Sequence, residues 1–364
     1  MSGISRRRFS QGVLASAVSS SSLSNSMESR NLEEPKRTPS LTDIEGLLVG
    51  HHTLEERPTG CTVITALSPF VAGVDVRGGA PGTRETDLLR SENTVGEVNA
   101  IVIAGGSAFG LDAASGVMKY LEKQGRGFEV GAIRVPIVCG AILFDLTMGD
   151  PKIRPDAAAG YSAARDASDT PVKEGNVGAG AGCTVGKMSR GNHGMKSGLG
   201  SWSLRTADGL VVGALVAVNA VGDVLDPGSG KIVAGARGST RGEFLNIMEQ
   251  IRRGVQTKPV SRENTVVGVV ATNATLTKAQ CTKVAQMAQD ALARCIVPSH
   301  TPWDGDTVFA VATGKWASKT RHADVGIIGA LAADVLATAI LRGVRNAESW
   351  GDYPAASSWS SSHG

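Results

Sequence analysis

A chain of 364 residues, 41% of them hydrophobic, is long enough to bury one large core. Its 37 basic and 34 acidic residues are spread along the sequence and leave a net charge of +3, so there is no electrostatic footprint for nucleic acid, and small molecules or peptides are the expected partners. Gly is abundant at 46 residues and aromatics are scarce at 4%, a balance that suits closely packed layers joined by tight turns.

The amino end, Ser5-Arg6-Arg7-Arg8-Phe9-Ser10 followed by a weakly apolar stretch over 12–18, reads as a twin-arginine export signal and predicts a periplasmic or exported protein. The alternative is an unstructured basic arm running into the serine-rich residues 19–24, with a cytoplasmic protein behind it. Residues 1–40 are therefore set apart as a leader, 41–346 as a single domain and 347–364 as a disordered tail. His51 and His52 are neighbours on an extended stretch and point to opposite faces, which favours a structural role over metal binding. Residues 100–104 form a short apolar run, and Gly105-Gly106 leads from it into a helical pattern ending near Leu121. A glycine turn opening a helix can cradle a phosphate, which keeps a noncatalytic nucleotide-binding protein in view. Yet Gly105, Gly106 and Gly110 lack dinucleotide-fingerprint spacing, no Lys-Ser/Thr follows, and tight packing explains the glycines as well.

Further on, the small residues of 175–182 and 198–200 permit close backbone approach. Residues 210–219 read as a buried strand ending in Asn219, and 228–264 as an exposed polar connection. Thr265 opens a β-branched run to Ala271, as a strand covered on both faces should look. A helical face follows in Val284, Met287, Ala288, Ala291, Leu292 and Cys295. Asp304-Gly305-Asp306 stands at the mouth of another buried strand, 307–312, expected beside the Thr265 strand. The apolar run 325–344 carries Asp334 in its middle and reads as a packed core helix, so no membrane span is expected. Cys61, Cys139, Cys183, Cys281 and Cys295 show no zinc spacing and read as small buried hydrophobes, Cys281 included. Neither a metal nor a cofactor is expected.

The Asn264–Thr265 junction carries the chemistry. A Thr hydroxyl is a weak nucleophile near neutral pH, and an α-amino group on the same residue, with a pKa of roughly 8, is a suitable base for it. That amine exists only if the preceding peptide bond is cut, and the same hydroxyl can attack that carbonyl. Taken alone, Asn-Thr before a strand is equally a turn followed by a strand start.

The run 264–273, Asn-Thr-Val-Val-Gly-Val-Val-Ala-Thr-Asn, together with Asp304-Gly305-Asp306-Thr307 and Gly-Gly-Ala-Pro-Gly-Thr-Arg-Glu-Thr-Asp at 78–87, resembles the DmpA-type peptidase family. That family includes L-aminopeptidase/D-esterases, β-aminopeptidases and nylon-oligomer hydrolases. The likeness runs from about Leu41 to Val344. It implies an α/β fold of four layers, an αββα sandwich of the N-terminal-nucleophile type shared with ornithine acetyltransferases. It also implies autocleavage into 1–264 and 265–364 and hydrolysis of small peptides or amides by the new terminal Thr265. A homo-oligomer is expected, and a Thr-nucleophile acyltransferase is the near alternative. In the nylon-hydrolase branch the catalytic roles fall on positions that match Thr265, Lys187, Asn219, Asp304 and Asp306. Lys187 would depress the amine pKa or stabilise negative charge, Asn219 would donate to the oxyanion, and the two Asp residues would orient hydroxyl and amine. Aminopeptidase members carry a Tyr hydroxyl where this chain has Phe144, and 135–140 offer no carboxylate for a free substrate amine, which argues against strict aminopeptidase action.

Overall fold

The computed structural model describes residues 38–188, 194–255, 264–317 and 324–359. The expected export signal lies outside the described residues. Nine strands form two facing sheets that share one long strand. Strands β1 (Leu47–Thr53) and β2 (Gly60–Val76) pair antiparallel, β2 pairs with β3 (Val98–Ala104), and β3 runs parallel to β4 (Val138–Ile142), with Thr83–Arg84 at the edge. The second sheet runs β5 (Leu199–Arg205), β6 (Val211–Asn219), β7 (Thr265–Thr272), β8 (Thr307–Ala312) and then β2 again. The 17 residues of β2 reach both sheets: Gly60 to Ala66 pair with β1, and Val71 to Val76 with β8.

Alternation along each strand builds three apolar seams. Ile64, Ile101, Leu215, Val267, Val269 and Phe309 meet between the sheets. Outward-facing Val63 and Val102 pack with Val117 and Leu121 of α1 (Ala113–Lys123) and Ala163 of α2 (Ala157–Arg165). On the far side Val266, Val270 and Val308 pack against α3 (Lys278–Ala288) and α4 (Val325–Arg345). Helix, sheet, sheet and helix therefore lie in the expected four layers, because strands buried on both faces need cover on both.

Helix α3 starts at a capping box, with the Thr277 hydroxyl accepting from the Gln280 N–H. The expected helical face of 284–295 is divided at Gln289, where α3 gives way to a second short helix, Asp290–Cys295. Helix α4 is long and apolar enough to cross a membrane, but it is a core helix here, lying so close to β5 that a Cβ on Gly200 would stand 2.0 Å from the Ala339 carbonyl oxygen.

Two expectations are corrected. The connection 228–264 holds a short strand, Ile232–Ala234, and a helix, Ile247–Arg252, and residues 256–263 lie outside the described residues. The expected disordered tail is packed as far as Trp359: Ala347 and Ala355 are buried, the Lys196 N–H donates to Pro354 O at 2.9 Å, and the Trp359 indole donates to Glu243 O at 3.1 Å. Apolar anchoring of this kind was hidden by the Ser-rich composition around it. Residues 360–364 of that tail lie outside the described residues.

Candidate active site

The strand register gathers the site. Asn219, last in β6, lies opposite Thr265, first in β7, and both side chains continue the inter-sheet face of their strands. The parallel pairing of β7 with β8 is resumed, three residues before the Val267↔Thr307 pair and in the same register, by a bridge between Asn264 and Asp304. Asn264, Thr265, Asp304, Asp306, Asn219 and Lys187 are all buried.

With the Asn264–Thr265 bond intact, the bond is held from both sides. The Asn264 N–H donates to Trp303 O at 2.9 Å, and the Asn264 carbonyl accepts the Gly305 N–H at 2.6 Å and the Thr265 Oγ1 hydroxyl at 2.5 Å. A Cβ on Gly305 would lie 2.8 Å from Thr265 Oγ1 and 2.7 Å from Ala80 O, so only glycine leaves room for the hydroxyl and the covering loop together. That loop is the start of the 78–87 motif: the Arg77 and Gly78 N–H groups donate to Asp306 O, and Ala80 N–H to Asp304 O.

The two carboxylates are engaged on either side of the junction rather than with the Thr265 hydroxyl. Asp306 accepts the Val266 N–H on Oδ1 at 2.9 Å, and on Oδ2 the His300 N–H at 3.0 Å, with His300 Nδ1 also 2.9 Å from Oδ2. Asp304 Oδ2 accepts the Thr301 N–H at 3.0 Å and the Thr301 hydroxyl at 2.5 Å. Burial, and secondly the Asp306 charge, push the Asp304 carboxyl up to about 6.

Lys187 follows the short strand Thr184–Val185 and is fixed by its N–H on Val221 O at 2.9 Å. Its Nζ donates to Asn219 Oδ1 at 2.6 Å and Asn219 O at 3.2 Å, while Thr184 N–H donates to the same Oδ1 at 3.1 Å. Burial pulls Lys187 from 10.5 down to about 7. Asn219 was expected to serve an oxyanion through its amide N–H. Nδ2 instead donates to Phe144 O at 2.8 Å, and the donors that touch the Asn264 carbonyl are the Gly305 backbone N–H and the Thr265 hydroxyl. Sequence reasoning placed Gly305 inside its motif but gave it no role, since a backbone N–H leaves no side-chain signature.

The Gly105-Gly106 turn holds an anion of the protein's own. Gly106, at φ +84, donates its N–H to Asp145 Oδ1 at 2.9 Å, and a Cβ on Gly105 would stand 2.2 Å from Asp145 Oδ2. Thr59 Oγ1 donates to Oδ2 at 2.6 Å, and the fully buried Arg57 pairs with Oδ1 at 2.7 Å. The place a ligand phosphate would take is thus filled, which removes the physical basis of the nucleotide reading. Neither Arg57 nor Asp145 stood out in the sequence, being 88 residues apart. All five cysteines are buried, and burial raises the Cys281 thiol to about 12, as packing rather than nucleophilic chemistry requires.

Residues 39–354 match the model of peptidase family S58. The chain belongs to that family. As a family S58 protein it is a hydrolase acting on peptide or amide bonds. It is 45% identical over 345 residues to an uncharacterized aminopeptidase of Mycobacterium leprae (strain TN), covering 86% of this chain and 92% of the relative. It is 29% identical over 316 residues to a 6-aminohexanoate-oligomer endohydrolase of Kocuria sp. (strain KY2), covering 83% and 85%. In fold it is similar to the L-aminopeptidase D-Ala-esterase/amidase of Ochrobactrum anthropi, a variant of the Ntn hydrolase fold, with TM-score 0.63 at 19% identity over 87% of this chain and 89% of that one.

Proposed function

We propose that this family S58 chain activates itself by cutting the Asn264–Thr265 bond and then hydrolyses amides with Thr265 as nucleophile. The observation that carries the reading is the Thr265 hydroxyl 2.5 Å from the Asn264 carbonyl oxygen, with that same oxygen receiving the Gly305 N–H at 2.6 Å. Attack of Oγ1 on the carbonyl carbon closes a five-membered ring. The negative charge then develops on an oxygen that already has a donor aimed at it. Collapse breaks the C–N bond, leaves the Asn264 acyl group as an ester on Oγ1 and frees the Thr265 amine. Water then hydrolyses the ester.

Before that amine exists, a different base must take the hydroxyl proton. Lys187, tethered to the residue opposite Thr265 and titrating at about 7, is substantially neutral at physiological pH and suits that step. In the cut enzyme the α-amine becomes the base. Asp306 holds the Val266 N–H and so fixes the start of β7, and Asp304 sets the field around Lys187. The substrate amide is attacked in the same way: its C–N bond breaks, the leaving amine takes the proton, and water releases the acid.

A denaturing gel and amino-terminal sequencing of the smaller chain test the reading. A Thr-Val-Val-Gly terminus is expected, and active enzyme without it would sink the mechanism.

A further inference from the structure

We propose that the acyl side of the substrate is an L-α-aminoacyl residue bearing an N–H, bound as an extension of β7 in the place Asn264 occupies before the cut. This rests on the reading of Thr265 as nucleophile. The ester formed in self-cleavage, with the Asn264 carbonyl on Thr265 Oγ1, is chemically an acyl-enzyme. Its acyl group and a substrate's acyl group share the same bond to the same oxygen and need the same donor for the oxyanion. The uncut chain therefore displays an occupied acyl subsite.

What that subsite recognises is set by backbone. Asn264 is fully buried, its N–H donates to Trp303 O at 2.9 Å, and its carbonyl accepts the Gly305 N–H at 2.6 Å. Together they form a parallel bridge to Asp304, in register with the pairs from Val267↔Thr307 to Thr272↔Ala312. In a parallel ladder the acceptor at 303 and the donor at 305 are spaced for the N–H and C=O of one α-residue. A β-aminoacyl unit inserts one carbon between those two groups, and a 6-aminohexanoyl unit inserts four. Neither, in the extended form of an added strand residue, reaches Trp303 O while its carbonyl lies on Gly305. The substrate joins the sheet edge as an added strand residue, and main-chain hydrogen bonds supply the selection.

Because Trp303 O and Gly305 N belong to the backbone, no side-chain replacement removes them, and the test removes the donor from the substrate instead. The self-cleaved full-length protein is given four amides of one aminocoumarin leaving group: acetyl-L-alanyl, acetyl-β-alanyl, 6-acetamidohexanoyl, and O-acetyl-L-lactyl, in which an ester oxygen replaces the N–H without added bulk. The Thr265→Ala variant serves as blank. The acetyl-L-alanyl amide is expected to exceed each of the other three in kcat/KM by about tenfold or more, the effect of one lost hydrogen bond with a buried carbonyl left unmade. Hydrolysis that depends on Thr265 but favours the β-alanyl or hexanoyl amide, or ignores the loss of the N–H, overturns the subsite proposal and leaves the nucleophile standing. Hydrolysis of none of the four overturns both.

Discussion

Asn219 and Thr265 face each other across β6 and β7, so a single strand register fixes both the residue that holds the Lys187 amine and the residue that carries the hydroxyl. Asn219→Asp would place a negative charge against Nζ and favour the ammonium. The wild-type self-cleavage rate is expected to fall as pH drops through about 7, where Lys187 becomes protonated, and to fall less steeply below about 6, where Asp304 loses the charge that favours the Lys187 ammonium. In Asn219→Asp the first of these limbs moves to higher pH. Freshly translated chain shifted into buffers from pH 5 to 9 and sampled on gels gives both profiles, and superimposable curves would remove Lys187 from the step.

Thr265→Ala is expected to yield one uncut chain without hydrolase activity. Thr265→Ser retains the hydroxyl and keeps both reactions at a reduced rate. Intact mass and an amide-hydrolysis assay on the same samples decide it.

Gly305→Ala tests the room around the nucleophile. Its methyl group would meet the backbone oxygen of Ala80 and Thr265 Oγ1, which could yield only by leaving its hydrogen bond to Asn264 O. Self-cleavage is expected to slow by at least about a hundredfold, the range for disturbing an oxyanion donor. Unfolding temperature, measured alongside, separates this from simple misfolding.

Since Asp145 fills the glycine turn, nucleotides are expected to leave the thermal midpoint unchanged at millimolar concentration. Asp145→Asn removes the counter-charge of the Arg57 guanidinium, whose side chain is fully enclosed and otherwise meets only backbone carbonyls such as Met148 O and Ile153 O, and breaking such a pair costs about 3–5 kcal/mol. A midpoint lowered by many degrees is expected, whereas stabilisation of the wild type by a nucleotide would reopen the turn as a ligand site.

With Phe144 in place of a hydroxyl donor and no carboxylate over 135–140, an amide with an acetylated amino end is expected to be cut at least as fast as its free-amine counterpart. A strong preference for the free form would establish aminopeptidase action.

What the sequence disclosed was what periodicity and motif can carry. The run from Thr265 to Ala271 announced a strand buried on both faces, the placing of Asp304 and Asp306 at the mouth of β8 followed from the apolar run after them, and α4 was legible from its length and from Asp334. Pairing of β7 with β8 turned two separate motifs into one site. The rest depends on contacts made at long range or by backbone. Trp303 O and Gly305 N act without their side chains, and Asp145 reaches the Gly106 N–H from 39 residues away. The glycine turn illustrates the difference: its conformation was readable, but its occupant was not.

The position of β7 and β8 has a consequence for the molecule if it is cut as proposed. These two strands belong to the 265–364 portion, yet they lie side by side between β6 and β2 of the portion ending at Asn264. The products of the proposed cut would therefore be complementary parts of one sheet, and the core between the sheets draws Ile64, Ile101 and Leu215 from one part and Val267, Val269 and Phe309 from the other. Folding of the uncut chain is a first-order event, whereas reassembly of separated parts is second-order and exposes two interior strand edges while it waits. The proposed self-cleavage would thus turn a unimolecular protein into a heterodimer whose stability depends on concentration, and it would tie the gain of activity to the loss of an easy route back from the unfolded state.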